Sequence, residues 1–313
     1  FDQQFEDEVG AHIRTHESLF NEQEHPTNDE DNAHHLLQPI TTTDFKSKLG
    51  MAKISSAPGD DQVTYSLLRQ SPDILVTKLI LILNFCLLIG YFPKQWKAAK
   101  VIMVQKPGKD HTNPKSYRPI SLLPAISKIF ERILCERLVN FLEENNLLNK
   151  YQAGYRKGRS TQEHIFRLAQ QVYNGFKNRE CTYATFLDCE AAFDAVWTNG
   201  LMYKLHKLNL PTNFLRILCS FLKDRTLKVH VDGSVSREVK LRAGTPQGSC
   251  LSPILFCIHV NDIPFHEMVG CQPSQFADDI GLFATGRKIK DVANAMQGAL
   301  QKVEMWCRKW RVK

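Results

Sequence analysis

Two adjacent carboxylates stand in an apolar setting near the end of the chain. Asp278 and Asp279 follow Phe276 and precede the apolar run "IGLF" at 280–283. An isolated Asp-Asp pair is most often a solvated turn, since Asp is depleted in strands and its side chain bonds a turning backbone. The alternative is a metal site, because two like charges in apolar surroundings need a cation or hydrogen bonds to compensate them.

A third carboxylate favours the metal site. Asp188 ends the apolar segment "YATFLD", 90 residues before Asp278. If the two segments are neighbouring strands of one sheet, three carboxylates converge at one edge. Such a cluster suits a pair of Mg²⁺ ions roughly 3.5–4 Å apart, since hard cations prefer oxygen ligands. Phosphoryl transfer uses two such ions, one at the attacking hydroxyl and one at the departing pyrophosphate.

The patterns around these carboxylates predict the elements that position them. "YATFLD" predicts a buried strand, and "SQFADDIGLFA" predicts two short strands with the Asp pair at or beside their turn. Alternating residues on both sides of Asp232-Gly233 predict a hairpin. Ser252 is expected to cap a helix that has Pro253 in its first turn. Residues 122–142 have helical periodicity.

Composition indicates a globular protein with a basic body. The chain has 313 residues, 43% hydrophobic and 23% charged, which is enough for two subdomains. Residues 1–31 hold ten acidic side chains and one arginine, a net charge of −9. Since the whole chain has a net charge of +7, the remaining residues carry a net charge of +16. This body predicts a polyanionic partner, because Lys and Arg that neutralise phosphates release counterions. Charge alone does not separate nucleic acid from an anionic membrane.

Cysteine usage and the termini predict an intracellular excerpt. The nine cysteines include no C-x-x-C pair, which opposes a zinc ribbon or knuckle. The N-terminus lacks the basic start and apolar core of a signal peptide. We therefore expect a reducing, intracellular compartment. The first residue is not Met, and the last segment still has helical periodicity, so the chain is expected to be part of a longer protein.

One segment tests whether the chain crosses a membrane. Residues 74–92 are nearly apolar and almost long enough to span a bilayer. Lys78 and Asn84 interrupt the segment, and a charge inside a spanning helix costs roughly 2.5–3.5 kcal/mol. We therefore predict a buried helix and no membrane partner.

Several ordered motifs together resemble a known family. "FLDCEAAFDAVW", "AGTPQGSCLSPILF" and "FADD", with "KPGKD" and "SYRPISLL" upstream, resemble the reverse transcriptase domain of non-LTR retrotransposons of the jockey and long-interspersed-element kind. "APGDDQVTYSLL" and "QAGYRKGRSTQEHI" resemble further blocks of that family. The resemblance covers roughly residues 50–313.

The resemblance implies an α+β fold, the fingers and palm of a right-hand polymerase. An antiparallel palm sheet would be backed by helices, and the thumb would be absent. The implied division is an acidic linker or N-terminal extension at 1–45, fingers with a helical N-terminal extension at 46–180, and an incomplete palm at 181–313.

The resemblance also implies catalytic and metal-binding roles for the carboxylates. Asp188 corresponds to the first catalytic carboxylate, Asp278 to its partner across two metal ions, and Asp279 to the supporting acid. Phe193 corresponds to the bulky gate beneath the incoming sugar, where a ring would collide with a 2′-hydroxyl. Asp194 is expected to support the fold rather than hold metal.

Nucleotide-binding residues are carried over in the same way. Gln247 and Gly248 correspond to the loop that packs against the incoming nucleotide and template base, with a simple turn as the alternative. Arg118 corresponds to the arginine that holds the triphosphate, a role suited to a planar fork of donors. Lys106 is a weaker candidate for that charge, since a loop lysine is usually only solvated.

A basic loop is the candidate template contact. Arg156, Lys157 and Arg159 surround a glycine beside Tyr155, a composition suited to binding a template backbone, although a solvated loop has the same composition. His164 is given no catalytic role. The tryptophans expected in the core are Trp96, Trp306 and Trp310.

The implied activity is RNA-directed DNA polymerisation. The intact protein would extend a DNA 3′-hydroxyl with dNTPs on an RNA template, using two Mg²⁺ ions, with Mn²⁺ as a substitute. The resemblance further implies target-primed reverse transcription, in which an endonuclease domain of the same polyprotein nicks the DNA target. The protein would form a ribonucleoprotein in the cytoplasm and integrate new copies in the nucleus. The alternatives are a non-catalytic RNA-binding scaffold, an intron-maturase-type reverse transcriptase and an RNA-dependent RNA polymerase, the last opposed by Phe193.

Overall fold

The protein is described by a computed structural model that covers residues 2–22 and 34–313. Apart from short 3₁₀ turns, the helices in these ranges are α1 Gln3–Glu22, α2 Thr42–Gly50, α3 Tyr65–Arg69, α4 Asp73–Ile89, α5 Ala125–Glu144, α6 Thr161–Asn178, α7 Thr198–His206, α8 Thr212–Leu222, α9 Ser252–His259 and α10 Ile289–Trp310. The strands are β1 Ala98–Gln105, β2 Tyr117–Leu122, β3 Cys181–Leu187, β4 Thr226–Val231, β5 Ser234–Val235, β6 Val239–Lys240, β7 Gln272–Phe276 and β8 Asp279–Gly286.

The strands form two separate sheets. The first has the order β2-β1-β4-β5, with β6 also paired to β4. Its β1–β2 pair is antiparallel and its β1–β4 pair is parallel, which makes the sheet mixed. The predicted hairpin is confirmed: Asp232 and Gly233 join β4 to β5, both with positive φ, as a type I′ turn requires. The parallel pairing of β4 with β1 was not predicted.

The second sheet carries the candidate site. Its order is β3-β8-β7 and all pairs are antiparallel, which confirms the predicted hairpin at the Asp pair. The prediction that β3 is buried is wrong, since the exposed fractions of Tyr183 and Phe186 are 39% and 69%. Within the described residues β3 pairs only with β8, so it is an edge strand, and α6 covers its outer face incompletely.

Helix α10 backs the second sheet. Its buried residues recur at helical spacing, and they pack against the alternate residues Ile280, Leu282 and Ala284 of β8. The predicted antiparallel sheet backed by helices is therefore present, alongside the unpredicted mixed sheet. The three tryptophans predicted to lie in the hydrophobic core do so. Trp306 and Trp310 are buried in the core, and Trp96 is half-buried and packs against it.

The acidic N-terminal segment is helical where it is described. Phe5, Val9 and Ile13 are buried on one face of α1, which packs against α7. Residues 23–33 of the predicted acidic linker lie outside the described residues.

The apolar helix α4 is only partly buried. Val76, Ile80 and Leu83 face the core, as predicted, whereas apolar residues on the opposite face, such as Leu81 and Phe85, are exposed. The prediction of a buried helix is thus right for one face only. No helix within 2–22 and 34–313 has the length and apolar character needed to cross a membrane.

Candidate active site

The three carboxylates come together where two antiparallel strands meet their connections. Leu187, the last residue of β3, pairs with Ile280 of β8, so the same register sets Asp188 opposite Asp279. Phe276 pairs with Asp279, which leaves a loop of two residues that contains Asp278. The condition stated from the sequence, that "YATFLD" and the strand after "FADD" are neighbours in one sheet, is therefore met.

The electrostatics of this edge show uncompensated negative charge. Burial raises the pKa of Asp278, and the charges of Asp279 and Asp188 raise it further. Burial, with the same three charges contributing, raises the pKa of the Cys189 thiol to about 12. Among the described residues no Lys, Arg or His forms an ion pair with these carboxylates.

A divalent cation fits the chemistry of these donors. Hard oxygen ligands with excess negative charge are what Mg²⁺ selects. The side chains do not form a finished cage, since no three His, Cys, Asp or Glu residues in the described part of the chain are arranged to hold a metal ion.

The turn that carries Asp278 is held in place by hydrogen bonds from Gln152, which lies just before the basic loop. The Gln152 side chain, only 1% exposed, accepts a hydrogen bond from Ala277 N at 2.8 Å and donates to Ala277 O at 3.1 Å. These bonds fix a residue that has a positive φ of 55° without being glycine. The Gln152 side-chain carbonyl also accepts from Gly154 N at 2.7 Å. No role was predicted for Gln152, although it lies in a family-like block.

The predicted sugar gate lies in the same neighbourhood. The Phe193 ring is 5.3 Å from the Phe256 ring and 6.2 Å from the Tyr155 ring, measured between centroids. The pKa of Tyr155 is raised by burial and by the charge of Asp278. Tyr155 thus contacts the Phe193 ring and lies within the electrostatic influence of Asp278, whereas its sequence context identified it only as a neighbour of the basic loop.

The loop with Gln247 and Gly248 contacts both the first sheet and Asp194. Gln247 donates through Nε2 to Asp194 Oδ2 at 3.1 Å, and its backbone carbonyl accepts from Ser121 N at 2.8 Å. Gly248 has a φ of 106°, and a Cβ there would lie 2.7 Å from Ser121 O. Only glycine allows this approach. Burial raises the pKa of Asp194, while the Gln247 bond opposes the rise.

Of the two predicted triphosphate contacts, one lies on the first sheet and the other directly follows one of its strands. Arg118 is exposed on β2, three residues before Ser121, whose backbone bonds the Gln247 loop. Lys106 follows β1, and its ammonium donates to Lys115 O at 3.0 Å. Neither cation forms an ion pair with the three carboxylates.

The predicted template residues separate into two groups. The Arg156 guanidinium bonds Glu143 at 2.5 and 2.7 Å and also the carbonyls of Asn149 and Gln152. Its donors are therefore occupied in holding the loop against α5, which opposes the predicted template role. Lys157 is exposed, and Arg159 pairs with Glu163 of α6 at 3.2 Å.

Three further residues considered in the sequence lie in helices. His164, which was given no catalytic role, lies on α6 beside a cleft of about 410 Å³ that Asp188 and Asp279 also line, and its ring bonds Ser274. Burial lowers the pKa of His164. Pro253 lies in the first turn of α9 as predicted, but the expected Ser252 cap is wrong, because its hydroxyl donates to a carbonyl of the preceding loop instead.

We expect Asp278→Asn to raise the melting temperature at neutral pH without divalent ions. A raised pKa means that the folded chain holds this proton more tightly than the unfolded chain, so the contribution to stability is lost as pH rises through the folded-state pKa. Asn removes that loss. Mg²⁺ should then raise the melting temperature of the parent more than that of the variant. Thermal melts at pH 7 in EDTA and in Mg²⁺ measure both effects; a less stable variant in EDTA contradicts the electrostatic account.

Comparisons with known proteins agree on one family. The family described as reverse transcriptase (RNA-dependent DNA polymerase) matches residues 104–313. The probable RNA-directed DNA polymerase from transposon BS of Drosophila melanogaster is 36% identical over 88% of this chain and 31% of its own length. The RNA-directed DNA polymerase from mobile element jockey of the same species is 35% identical with the same coverage. The chain therefore spans about three tenths of these relatives.

A solved structure shows a weaker similarity. Apo telomerase from Candida tropicalis, truncated from its C-terminal domain, has a TM-score of 0.46 and 14% identity, covering 70% of this chain and 49% of that chain. This similarity is too low to assign a shared fold.

Proposed function

The chain belongs to the reverse transcriptase (RNA-dependent DNA polymerase) family, and we propose that its intact protein extends a DNA 3′-hydroxyl with dNTPs on an RNA template. The observation that supports this activity best is the meeting of Asp188, Asp278 and Asp279 at one sheet edge with no basic side chain of the described chain paired to them. The similarity to jockey and BS polymerases supports a non-LTR retrotransposon as the source.

The three aspartates are proposed to hold two Mg²⁺ ions, with Mn²⁺ as a substitute. Bound metal would supply Lewis acidity at the phosphoryl group and would favour ionisation of the attacking hydroxyl. The chain's own contribution is to concentrate carboxylates and to keep cationic side chains away. Gln152 contributes by holding the Asp278 turn.

The nucleotide is proposed to lie between the carboxylates and the Gln247 loop. Phe193 would exclude a 2′-hydroxyl, and Gln247 with Gly248 would pack against the base and sugar. Arg118 is proposed to hold the triphosphate, since its strand adjoins this loop. Lys106 is a weaker candidate because its ammonium already bonds a carbonyl.

Phe193→Val is expected to weaken discrimination against ribonucleotides. A smaller side chain leaves room for a 2′-hydroxyl, so use of rNTPs relative to dNTPs should rise by about tenfold or more. The ratio of kcat/KM values for the two nucleotides in single-nucleotide extension measures this. An unchanged ratio in a folded variant would mean that Phe193 is only a core aromatic packed on Phe256.

The wider organisation follows from the same proposal. Residues 46–180 would form fingers with a helical N-terminal extension, residues 181–313 would belong to the palm, and residues 1–45 would be an acidic linker or N-terminal extension. Lys157 and Arg159 are proposed to contact the template backbone. An endonuclease domain elsewhere in the same polyprotein would nick the DNA target for target-primed synthesis, with a cytoplasmic ribonucleoprotein entering the nucleus.

Primer extension by the full-length protein tests this function. The protein is given an RNA template, a DNA primer and either dNTPs or rNTPs, in Mg²⁺ or in EDTA. We expect extension with dNTPs in Mg²⁺ alone. A folded, RNA-binding protein that extends nothing would be an RNA-binding scaffold, and efficient extension with rNTPs would indicate an RNA polymerase.

A further inference from the structure

A fully buried carboxylate lies outside the aspartate cluster, on α5. Glu131 has 0% exposure, and its Oε2 accepts hydrogen bonds from Ser249 Oγ at 2.5 Å and from Cys250 N at 2.8 Å. Its Oε1 accepts from Ser127 Oγ at 2.9 Å. Both bonds through Oε2 reach the segment that follows Gln247, more than a hundred residues away in sequence.

Burying this carboxylate is costly and requires a compensating benefit. No Lys, Arg or His within the described ranges forms an ion pair with Glu131. Arg225 supplies a compensating charge: burial lowers its pKa to about 10, and Glu131 opposes the fall. Arg225 is itself buried, and its Nε and Nη2 atoms have no hydrogen-bond partner within the described chain. A buried charged pair of this kind often contributes little net stability to the folded protein. Its presence here is better explained by the local geometry that its hydrogen bonds impose.

That geometry extends from Glu131 to the nucleotide loop. Ser249 N donates to Pro246 O at 3.1 Å, which closes a turn around Gln247 and Gly248. Ser249 Oγ also accepts from Leu251 N at 3.1 Å, so one hydroxyl links the carboxylate, the turn and the approach to α9. On the other side of the turn, the Gln247 amide is held by Asp194.

We propose that Glu131 is a positioning residue that holds the Pro246–Ser249 turn so that Gln247 faces the incoming nucleotide. The carboxylate acts through Ser249 and Cys250 and touches no substrate. This role rests on the proposed function, because it assigns to a buried residue part of the affinity for dNTPs. Glu131 lies in "SKIFERIL", a segment whose helical pattern carries no sign of chemistry.

The test compares Glu131→Ala with Ser127→Ala in the full-length protein. Ser127→Ala removes a bond to the same carboxylate but leaves both bonds to the loop, so it is the matched control. We expect Glu131→Ala to raise the KM for dNTPs about tenfold with kcat changed less than about threefold, and Ser127→Ala to leave KM unchanged. Glu131→Gln, which keeps an acceptor, should restore most of the affinity.

A double variant separates positioning from a general loss of structure. If Glu131 acts through Gln247, Glu131→Ala should have little further effect on KM in a Gln247→Ala background. If the increases in KM caused by the two single substitutions multiply in the double variant, the inference is overturned. An unchanged KM in Glu131→Ala would also overturn it. A merely structural role would reduce the active fraction, and hence the apparent kcat, while KM stayed constant.

Two further measurements cover a variant that does not fold and a protein that makes no DNA. Ser249→Ala removes the shorter of the two bonds from the loop to Glu131 and keeps the Glu131 charge that compensates Arg225. This variant should also raise KM, and an unchanged KM would contradict the inference. Amide hydrogen exchange of residues 244–251 should be faster in Glu131→Ala than in Ser127→Ala. Equal exchange would overturn the positioning role, whereas faster exchange in a protein without dNTP-dependent synthesis would contradict the proposed function instead.

Discussion

Asp278→Asn is expected to reduce metal-dependent DNA synthesis about 1,000-fold or more. The amide keeps the size of the side chain but loses the charge that a divalent cation requires. Metal ions supply several kcal/mol of transition-state stabilisation, and each 1.36 kcal/mol corresponds to about a factor of ten in rate. RNA binding should stay within about twofold, because affinity for the backbone depends on basic side chains elsewhere.

Primer extension and RNA-binding isotherms on the same preparations measure the two effects. Asp224→Asn is the matched control, since Asp224 is an exposed aspartate paired with Lys240 of the first sheet. The control should retain activity within about twofold. Equal activity of Asp278→Asn and the parent would remove Asp278 from the proposed metal site.

Gly154→Ala is expected to reduce synthesis about 100-fold while the chain remains able to bind RNA. A Cβ at this position would lie 2.2 Å from Ala277 N and 2.7 Å from Ala277 Cα, and backbone atoms cannot rotate away. The turn that carries Asp278 must therefore shift, and a displacement of about 1 Å at a reacting centre can cost about 100-fold in rate. Stability should also fall by about 1–3 kcal/mol.

Gly298→Ala provides the control for this change. Gly298 lies in α10 with no atom within 4 Å of the added Cβ, so alanine there should be neutral or should stabilise the helix by about 0.5–1 kcal/mol. Activity and chemical denaturation are measured for both variants. A Gly154→Ala protein with parental kcat would show that the turn accommodates the methyl group without moving Asp278.

The arrangement of the carboxylates could be predicted from the sequence. Alternation and turn composition around Asp278 indicate a hairpin, and an apolar strand that ends at Asp188 is suited to pair with it. The hairpin at Asp232-Gly233 was equally predictable, because its turn residues favour positive φ. These features depend on local patterns that neighbouring residues carry.

The supporting contacts could not be predicted from such patterns. Gln152 bonds Ala277 across 125 residues, and Glu131 bonds Ser249 across 118. A single buried polar side chain leaves no periodic pattern in the sequence, and its hydrogen-bond partner is determined only by tertiary packing. Arg156 shows the same limit: a basic loop composition predicts a template contact, and the ion pair with Glu143 that tertiary structure adds to its guanidinium has no signal in that composition.

The two-residue connection between β7 and β8 limits how the gene for this domain can change in length. Loop length sets the turn type of a hairpin, so one inserted or deleted codon between Phe276 and Asp279 would reshape the loop and move Asp278 relative to Asp279, which the β3–β8 register keeps opposite Asp188. Substitutions around this hairpin can accumulate gradually and be compensated by neighbours. A change of one residue in the length of the loop, by contrast, alters the geometry of the turn in a single step. Reading-frame-preserving insertions should therefore be excluded here more strictly than at the exposed turn around Gly108, where an added Cβ meets no atom within 4 Å.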